Sequence, residues 1–210
     1  MNRIAVIADI VASRAIKDRP LIQKQLGEVL AALNARSESG ILSPYTITLG
    51  DEFQAVFSTA DSLFRDAFTI LAALYPVRVR FSFGVGTIDT PINFWQAIGM
   101  DGPAFHHARE GIEELKRIRG SFDVNGVETP DQGLLKHSLA LASHVTRKWN
   151  RKRLAVFLQL HDRVPVKTIA DTVRLSDKAV YKSIDHGALR IILRLLEEIT
   201  TLLNTQLGGE

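Results

Sequence analysis

Two periods of apolar and polar positions run along this 210-residue chain, and they change near its middle. Arg3–Asp9 is a β-branched, apolar run of strand length, which predicts one buried strand. Leu21, Ile22, Leu26, Val29, Leu30 and Leu33 fall at helical spacing and predict a helix over Pro20–Asn34. Ser37–Ser43 reads as a polar, glycine-containing loop. Tyr45–Leu49 and Phe53–Phe57 read as short strands joined by Gly50-Asp51-Glu52, a hairpin signal. Asp61–Tyr75 reads as a helix stopped before Pro76. In Val77–Gly86, Val77, Val79, Phe81, Phe83 and Val85 face one way and Arg78, Arg80 and Ser82 the other, which predicts a half-buried strand.

The order so far is βαββαβ, a ferredoxin-like arrangement. A loop around Thr90–Asp101 and a helix over Gly102–Ile118 follow, and Asn125-Gly126 predicts a further hairpin within Ser121–Glu128. From about Pro130 the period is helical throughout. Helices are expected over Leu134–Asn150, Arg151–His161, Val166–Val173, Asp177–His186 and Leu189–Leu203. The fold class expected is α+β: a ferredoxin-like domain over residues 1–129, then a small all-helical domain over 130–210.

Composition adds three constraints. Apolar residues make up 46% of the chain, enough for a substantial core. The absence of cysteine excludes disulfides and thiolate metal sites and fits a cytoplasmic location. No apolar run reaches the ~18 residues that span a bilayer, and Asp9 interrupts the one N-terminal run resembling a leader, so no membrane association is expected. The net charge of +3 is unevenly spread. Residues 146–210 carry 12 Lys/Arg against 7 Asp/Glu, whereas residues 1–145 carry 14 against 16. A basic final third suggests an anionic partner there, or simply a solvated helix surface.

The candidate chemistry begins with two carboxylates. Asp9 ends the first strand, and Asp51 lies in the turn of the central hairpin, which a βαββαβ sheet places beside that strand. Hard oxygen ligands on adjacent strand ends suit Mg²⁺ or Mn²⁺, which complete their shells with water and substrate phosphates; a nucleoside triphosphate is the implied partner. Glu52 should point to the opposite side of the extended chain, which favours Asp51 as the ligand. Either Asp can equally serve as turn chemistry.

Val6-Ile7-Ala8-Asp9-Ile10-Val11-Ala12-Ser13 resembles the first-strand motif of class III nucleotide cyclases. Thr48-Leu49-Gly50-Asp51-Glu52-Phe53-Gln54-Ala55-Val56-Phe57 resembles their central hairpin. Gly50-Asp51-Glu52-Phe53 is also similar to the diguanylate cyclase signature, with Leu49 in place of its first Gly. Phe81-Ser82-Phe83-Gly84-Val85-Gly86 is similar to the later strand of both families, and Ala104, Ala108 and Arg109 to the helix that follows. The resemblance spans roughly residues 3–118. It implies a palm domain with Asp9 and Asp51 as metal ligands, a phosphate cradle at Ile10, Val11, Ala12 and Ser13, and Arg109 near the phosphates. Class III cyclases carry Asn and Arg four residues apart on the late helix; His106 and Glu110 stand there in this sequence. The whole chain resembles the SatD family, a bacterial group named for acid tolerance.

The two adjacent histidines, His106 and His107, point about 100° apart on a helix and are poorly placed to share a metal. Arg78 and Arg80 share a strand face, as phosphate contacts or as ordinary surface charges.

Val166–Val173, the three-residue turn Arg174-Leu175-Ser176 and Asp177–Ile184 follow the helix-turn-helix pattern. Ser176 can cap the second helix. Ala170, Leu175, Val180 and Ile184 should bury between the helices, leaving Lys178, Tyr181, Lys182 and Ser183 outward as candidate DNA contacts. Arg147, Lys148, Arg151, Lys152 and Arg153 form a basic cluster upstream. The long apolar stripe of the last helix suggests a homodimer; a plain helical appendage is the other reading of this segment. The function expected is a nucleotide- and metal-responsive DNA-binding regulator, involved in transcription regulation. The alternative is a nucleotidyl cyclase or template-free nucleotidyl polymerase with a helical oligomerisation tail.

Overall fold

A computed structural model describes residues 1–36 and 40–208 and arranges them as five strands and eight α-helices. In chain order these are β1 (Arg3–Ile10), α1 (Arg19–Asn34), β2 (Ile41–Ile47), β3 (Glu52–Phe57), α2 (Leu63–Leu74), β4 (Val79–Gly86), α3 (Pro103–Ile118) and β5 (Phe122–Asn125). The helical remainder is α4 (Gln132–Thr146), α5 (Arg151–His161), α6 (Val166–Val173), α7 (Asp177–His186) and α8 (Leu189–Leu207). No helix among the described residues is long and apolar enough to cross a membrane.

The strands form one mixed sheet in the order β2-β3-β1-β4-β5. β1 runs antiparallel to both β3 and β4, which gives the ferredoxin-like order expected for the first four strands. β1 is apolar and buried from Ile4 to Ala8 because both its faces are covered. Ile4, Val6, Ala8 and Ile10 join the large core shared with α1, α2 and the C-terminal helices. Ala5 and Ile7 pack with Val56 under Ala104, Phe105, Ala108 and Ile112 of α3.

α3 also changes the reading of β4. The alternation in Val77–Gly86 predicts a solvent-facing side, but Ser82 is fully buried because α3 lies across that face. The helix approaches closely at Gly84, where an added Cβ would stand 2.0 Å from the Ala104 carbonyl oxygen. Only a residue without a side chain fits there.

The hairpin expected at Ser121–Glu128 is a single strand instead. β5 pairs parallel to β4, from Phe81↔Phe122 to Gly84↔Asn125, so α3 is the crossover of a β-α-β unit. Gly126, at φ +78°, ends β5 without returning the chain along it, and Val127 then enters the core. The loop expected over Ser37–Ser43 is strand from Ile41, which pairs with Phe57; residues 37–39 lie outside the described residues. α4 stops at Thr146 rather than continuing to Asn150. Asn150 caps α5 instead, its side chain accepting a bond from the Arg153 amide at 2.9 Å.

The core does not divide at residue 129. Phe64 and Phe68 of α2 and Phe122 of β5 form an aromatic cluster, and Phe68 meets Trp149 at 5.6 Å and Phe157 of α5 at 4.4 Å between ring centroids. One contiguous set of buried residues runs from Ile4 to Leu207. The apolar stripe of α8, read as a surplus for dimer contact, is largely used inside the chain: Leu189, Ile192, Leu193, Leu196, Ile199, Leu203 and Leu207 are buried.

Candidate functional site

β1 ends between β3 and β4, so Asp9 is flanked in register by Glu52 on one side and Arg80 on the other. Arg80 Nη1 donates to both Asp9 carboxylate oxygens at 3.1 Å. Each side chain is only 14% exposed. Burial pushes the Asp9 carboxyl above its ordinary value, and the Arg80 hydrogen bonds and charge oppose that rise.

Asp51 is clamped onto the end of β1 by its turn. Its carbonyl oxygen accepts from the Ile10 amide at 2.9 Å, and its carboxylate accepts from the Ser13 hydroxyl. Gly50 takes φ +64°, a left-handed conformation suited to glycine, and its carbonyl accepts from Gln23 Nε2 of α1 at 3.1 Å. The Asp51 charge contributes to raising the Asp9 carboxyl, so the two acidic groups are within electrostatic reach of each other.

Glu52 turns towards α3 whereas Asp51 turns towards Ser13, the divergence that alternation along extended backbone predicts. Arg109 of α3 grips Glu52 with two bonds, 2.6 Å from Nη1 and 3.0 Å from Nη2. Those bonds hold the Arg109 guanidinium above its ordinary value. Two carboxylates at the sheet end are thus each partnered by an arginine, Asp9 with Arg80 and Glu52 with Arg109. Neither pairing has a sequence signal; both depend on strand register and on α3 lying across the sheet.

The segment after β1 is a tight turn. The Ile10 and Val11 amides are spent on the Asp51 and Arg78 carbonyls, and Ala12 adopts a left-handed conformation at φ 54°. Ser13 is buried and tied to Asp51. His106 is exposed and pairs with Asp101 at 3.0 Å, while His107 Nδ1 lies 2.8 Å from the Val85 carbonyl oxygen.

The donor chemistry at the sheet end suits a divalent cation of the hard, oxygen-loving kind. Asp9 and Asp51 lie at the same strand end, one bonded to Arg80 and the other to Ser13, and Mg²⁺ needs only one or two protein carboxylates when phosphates complete its shell. Among the described residues no group of three or more His, Cys, Asp or Glu side chains is placed to hold a metal ion.

At the other end of the chain, α6 and α7 are joined by Arg174-Leu175-Ser176. Arg174 takes φ 54°, and the Ser176 hydroxyl accepts from the Ala179 amide at 3.2 Å. Ile169, Ala170, Val180 and Ile184 are buried, while Leu175 is only partly so. Lys178, Tyr181 and Lys182 are exposed. Ser183 is partly buried, its hydroxyl accepting from Arg153 Nε of α5 at 3.5 Å.

Comparison with known proteins gives a family match and a distant structural likeness. The model of the SatD family matches residues 3–203. Two solved structures of a bacterial light-regulated adenylyl cyclase are similar. At 15% identity and a TM-score of 0.41, one match covers 60% of this chain and 43% of that one. The other, at 16% identity and a TM-score of 0.40, covers 58% of this chain and 42% of that one. The chain thus spans less than half the length of these proteins. No curated protein matches.

Proposed function

The chain belongs to the SatD family, and from that premise we propose that it is a nucleotide-responsive DNA-binding regulator. In this reading a palm-like sheet end binds a nucleoside triphosphate with Mg²⁺ or Mn²⁺, and α7 contacts DNA. One observation carries it: the chain gathers Asp9 and Asp51 at one sheet end and leaves Lys178, Tyr181 and Lys182 exposed on the second helix of a tightly joined pair.

Asp9 and Asp51 would hold the cation, which would screen the nucleotide phosphates. The protein's own contribution is positional. The Asp51 carbonyl and the Ile10 amide lock the turn to the strand end, and Ser13 orients the Asp51 carboxylate. On α7, Lys178 and Lys182 are four residues apart and share a face with Tyr181 nearby, a pattern suited to backbone phosphates and a groove edge.

The test is fluorescence anisotropy with a labelled DNA duplex across a salt series. Lys178→Ala and Lys182→Ala should each weaken binding on all sequences and flatten the salt slope by about one. Adding Mg²⁺–ATP or Mg²⁺–GTP should shift DNA affinity in the wild type and leave it unmoved in Asp9→Ala and Asp51→Ala. Salt-insensitive or absent DNA binding would sink the regulator reading. The adjacency of the two carboxylates also favours a second reading, nucleotidyl transfer as a cyclase or template-free polymerase. Chromatographic detection of a product lost in both Asp variants would establish it.

A further inference from the structure

Two grooves meet where the sheet abuts the C-terminal helices. The first, a cleft of about 210 Å³, is lined by Arg78, Arg80, Lys116 and Arg119, with Val11 and Ser121 at its edges. Asp9 engages Arg80 and Glu113 engages Lys116. Arg78 and Arg119 are exposed and have no ion-pair partner among the described residues. Asp9 leaves Arg80 incompletely satisfied, since its buried Nε has no hydrogen-bond partner. Two unpaired guanidiniums beside two ion-paired cations leave the cleft electropositive, and an anion between them would offset the repulsion. No carboxylate lines this cleft to hold a metal.

The second groove, about 250 Å³, has a different character. Leu71, Tyr75, Val77 and Leu154 give it apolar and aromatic walls, Trp149 closes it, and Arg147 and Lys148 lie at its margin. Arg78 and Ser121 line both grooves, so they adjoin. Together they reach the volume of an ordinary small-molecule site, cationic at one end and apolar at the other. Trp149 also links the site to α7: its indole N–H donates to the carbonyl of Gly187, the residue capping the C-terminus of α7, at 3.1 Å.

We propose that the adjoining grooves form a single metal-independent site for a small phosphorylated organic molecule. The phosphates lie among Arg78, Lys116 and Arg119, and the organic part lies against Tyr75 and Leu154. Arg80, which holds Asp9, borders this cleft as well, but neither Asp9 nor Asp51 lines it, so binding there needs neither carboxylate. Only its output, a pull on α7 through Trp149 and Gly187, rests on the regulator reading.

The experiment uses the full chain carrying Trp95→Phe, which leaves Trp149 as the sole tryptophan. ATP and tripolyphosphate are titrated in EDTA while Trp149 emission is followed and heats are measured. Saturable binding without metal is expected, with ATP tighter than tripolyphosphate and the emission change confined to ATP. Arg78→Ala and Arg119→Asn should each weaken binding by about 10-fold or more, the weight of a charged hydrogen bond. Asn suits the left-handed backbone at position 119, where φ is 57°. Asp51→Ala should leave this binding unchanged. No saturable binding in EDTA would overturn the proposal. So would binding that needs Mg²⁺, vanishes in Asp51→Ala and survives Arg78→Ala, a result that would leave the metal–nucleotide reading standing. Equal affinity for ATP and tripolyphosphate would remove the apolar groove from the site and defeat the proposal as stated.

Discussion

Asp123 shows how a single buried group couples this fold to pH. It lies in β5, 6% exposed, opposite Ser82 of β4, and accepts a bond from Asn125 Nδ2 at 2.9 Å. Burial pushes its carboxyl above the ordinary value, with Asn125, Lys136 and the Val124 amide opposing and Glu114 reinforcing. Because its folded pKa exceeds the unfolded one, its contribution favours folding below the unfolded value, about 3.9, and is lost as pH rises through the folded pKa. Asp123→Asn removes the ionisation while keeping an acceptor for Asn125. The variant should melt above the wild type at pH 7, with the gap closing as the pH falls below about 4; thermal denaturation across that range checks the sign. Asp9 shares the same direction of shift, but Arg80 stands against it, so a substitution there would strand a nearly buried guanidinium. Of these residue-level facts, the sequence disclosed that Asp9 and Asp51 were candidates. It did not disclose Arg80 as the partner of Asp9, because a residue 71 positions away reaches it only through strand register.

At the scale of elements, boundaries followed local chemistry where a cap was present. α7 begins where Ser176 accepts the Ala179 amide, and α5 begins where Asn150 accepts the Arg153 amide. Ser176→Ala should destabilise the chain by about 1 kcal/mol, the usual cost of losing an N-cap, measurable by chemical denaturation. A change below about 0.3 kcal/mol would mean that packing of Val180 and Ile184 alone fixes α7. Elements were misread where a long-range partner decided them. β5 carries a turn dipeptide at its end and so resembles half a hairpin. It is a parallel strand because α3 carries the chain across the sheet and delivers Phe122 beside Phe81. The exposed-looking side of β4 is buried for the same reason: Gly84 admits α3 to within backbone contact.

For the whole molecule, the question is whether the sheet and the C-terminal helices are independent. Phe68, itself in ring contact with Phe122, packs on Trp149 and Phe157 from the second part, and Asn204 of α8 accepts the Ala60 amide at 2.7 Å. A chain ending at residue 129 would expose that aromatic surface to water. Such a fragment should bind an apolar dye and lack a cooperative melt, whereas the full chain should unfold in one transition with coincident fluorescence and circular dichroism. A cooperative melt of the fragment would instead mark residue 129 as a true boundary. Shared packing also offers a physical route between a ligand on the sheet side and α7, since Trp149 belongs to both surroundings.

By itself the sequence determined what local forces decide. The period of apolar positions set the order of strands and helices through β4, and α5, α6 and α7 fell where apolar spacing placed them, with Ser176 capping α7 as expected. It also named the two acidic groups at the strand end and the cationic face of α7. The tertiary structure alone decided the arginine partner of each carboxylate, the parallel placement of β5, the burial of the α8 stripe within its own chain and the cleft between β4 and α3. Each of these joins residues far apart in sequence, and their proximity is fixed by sheet register and by the packing of α3, which no local pattern encodes.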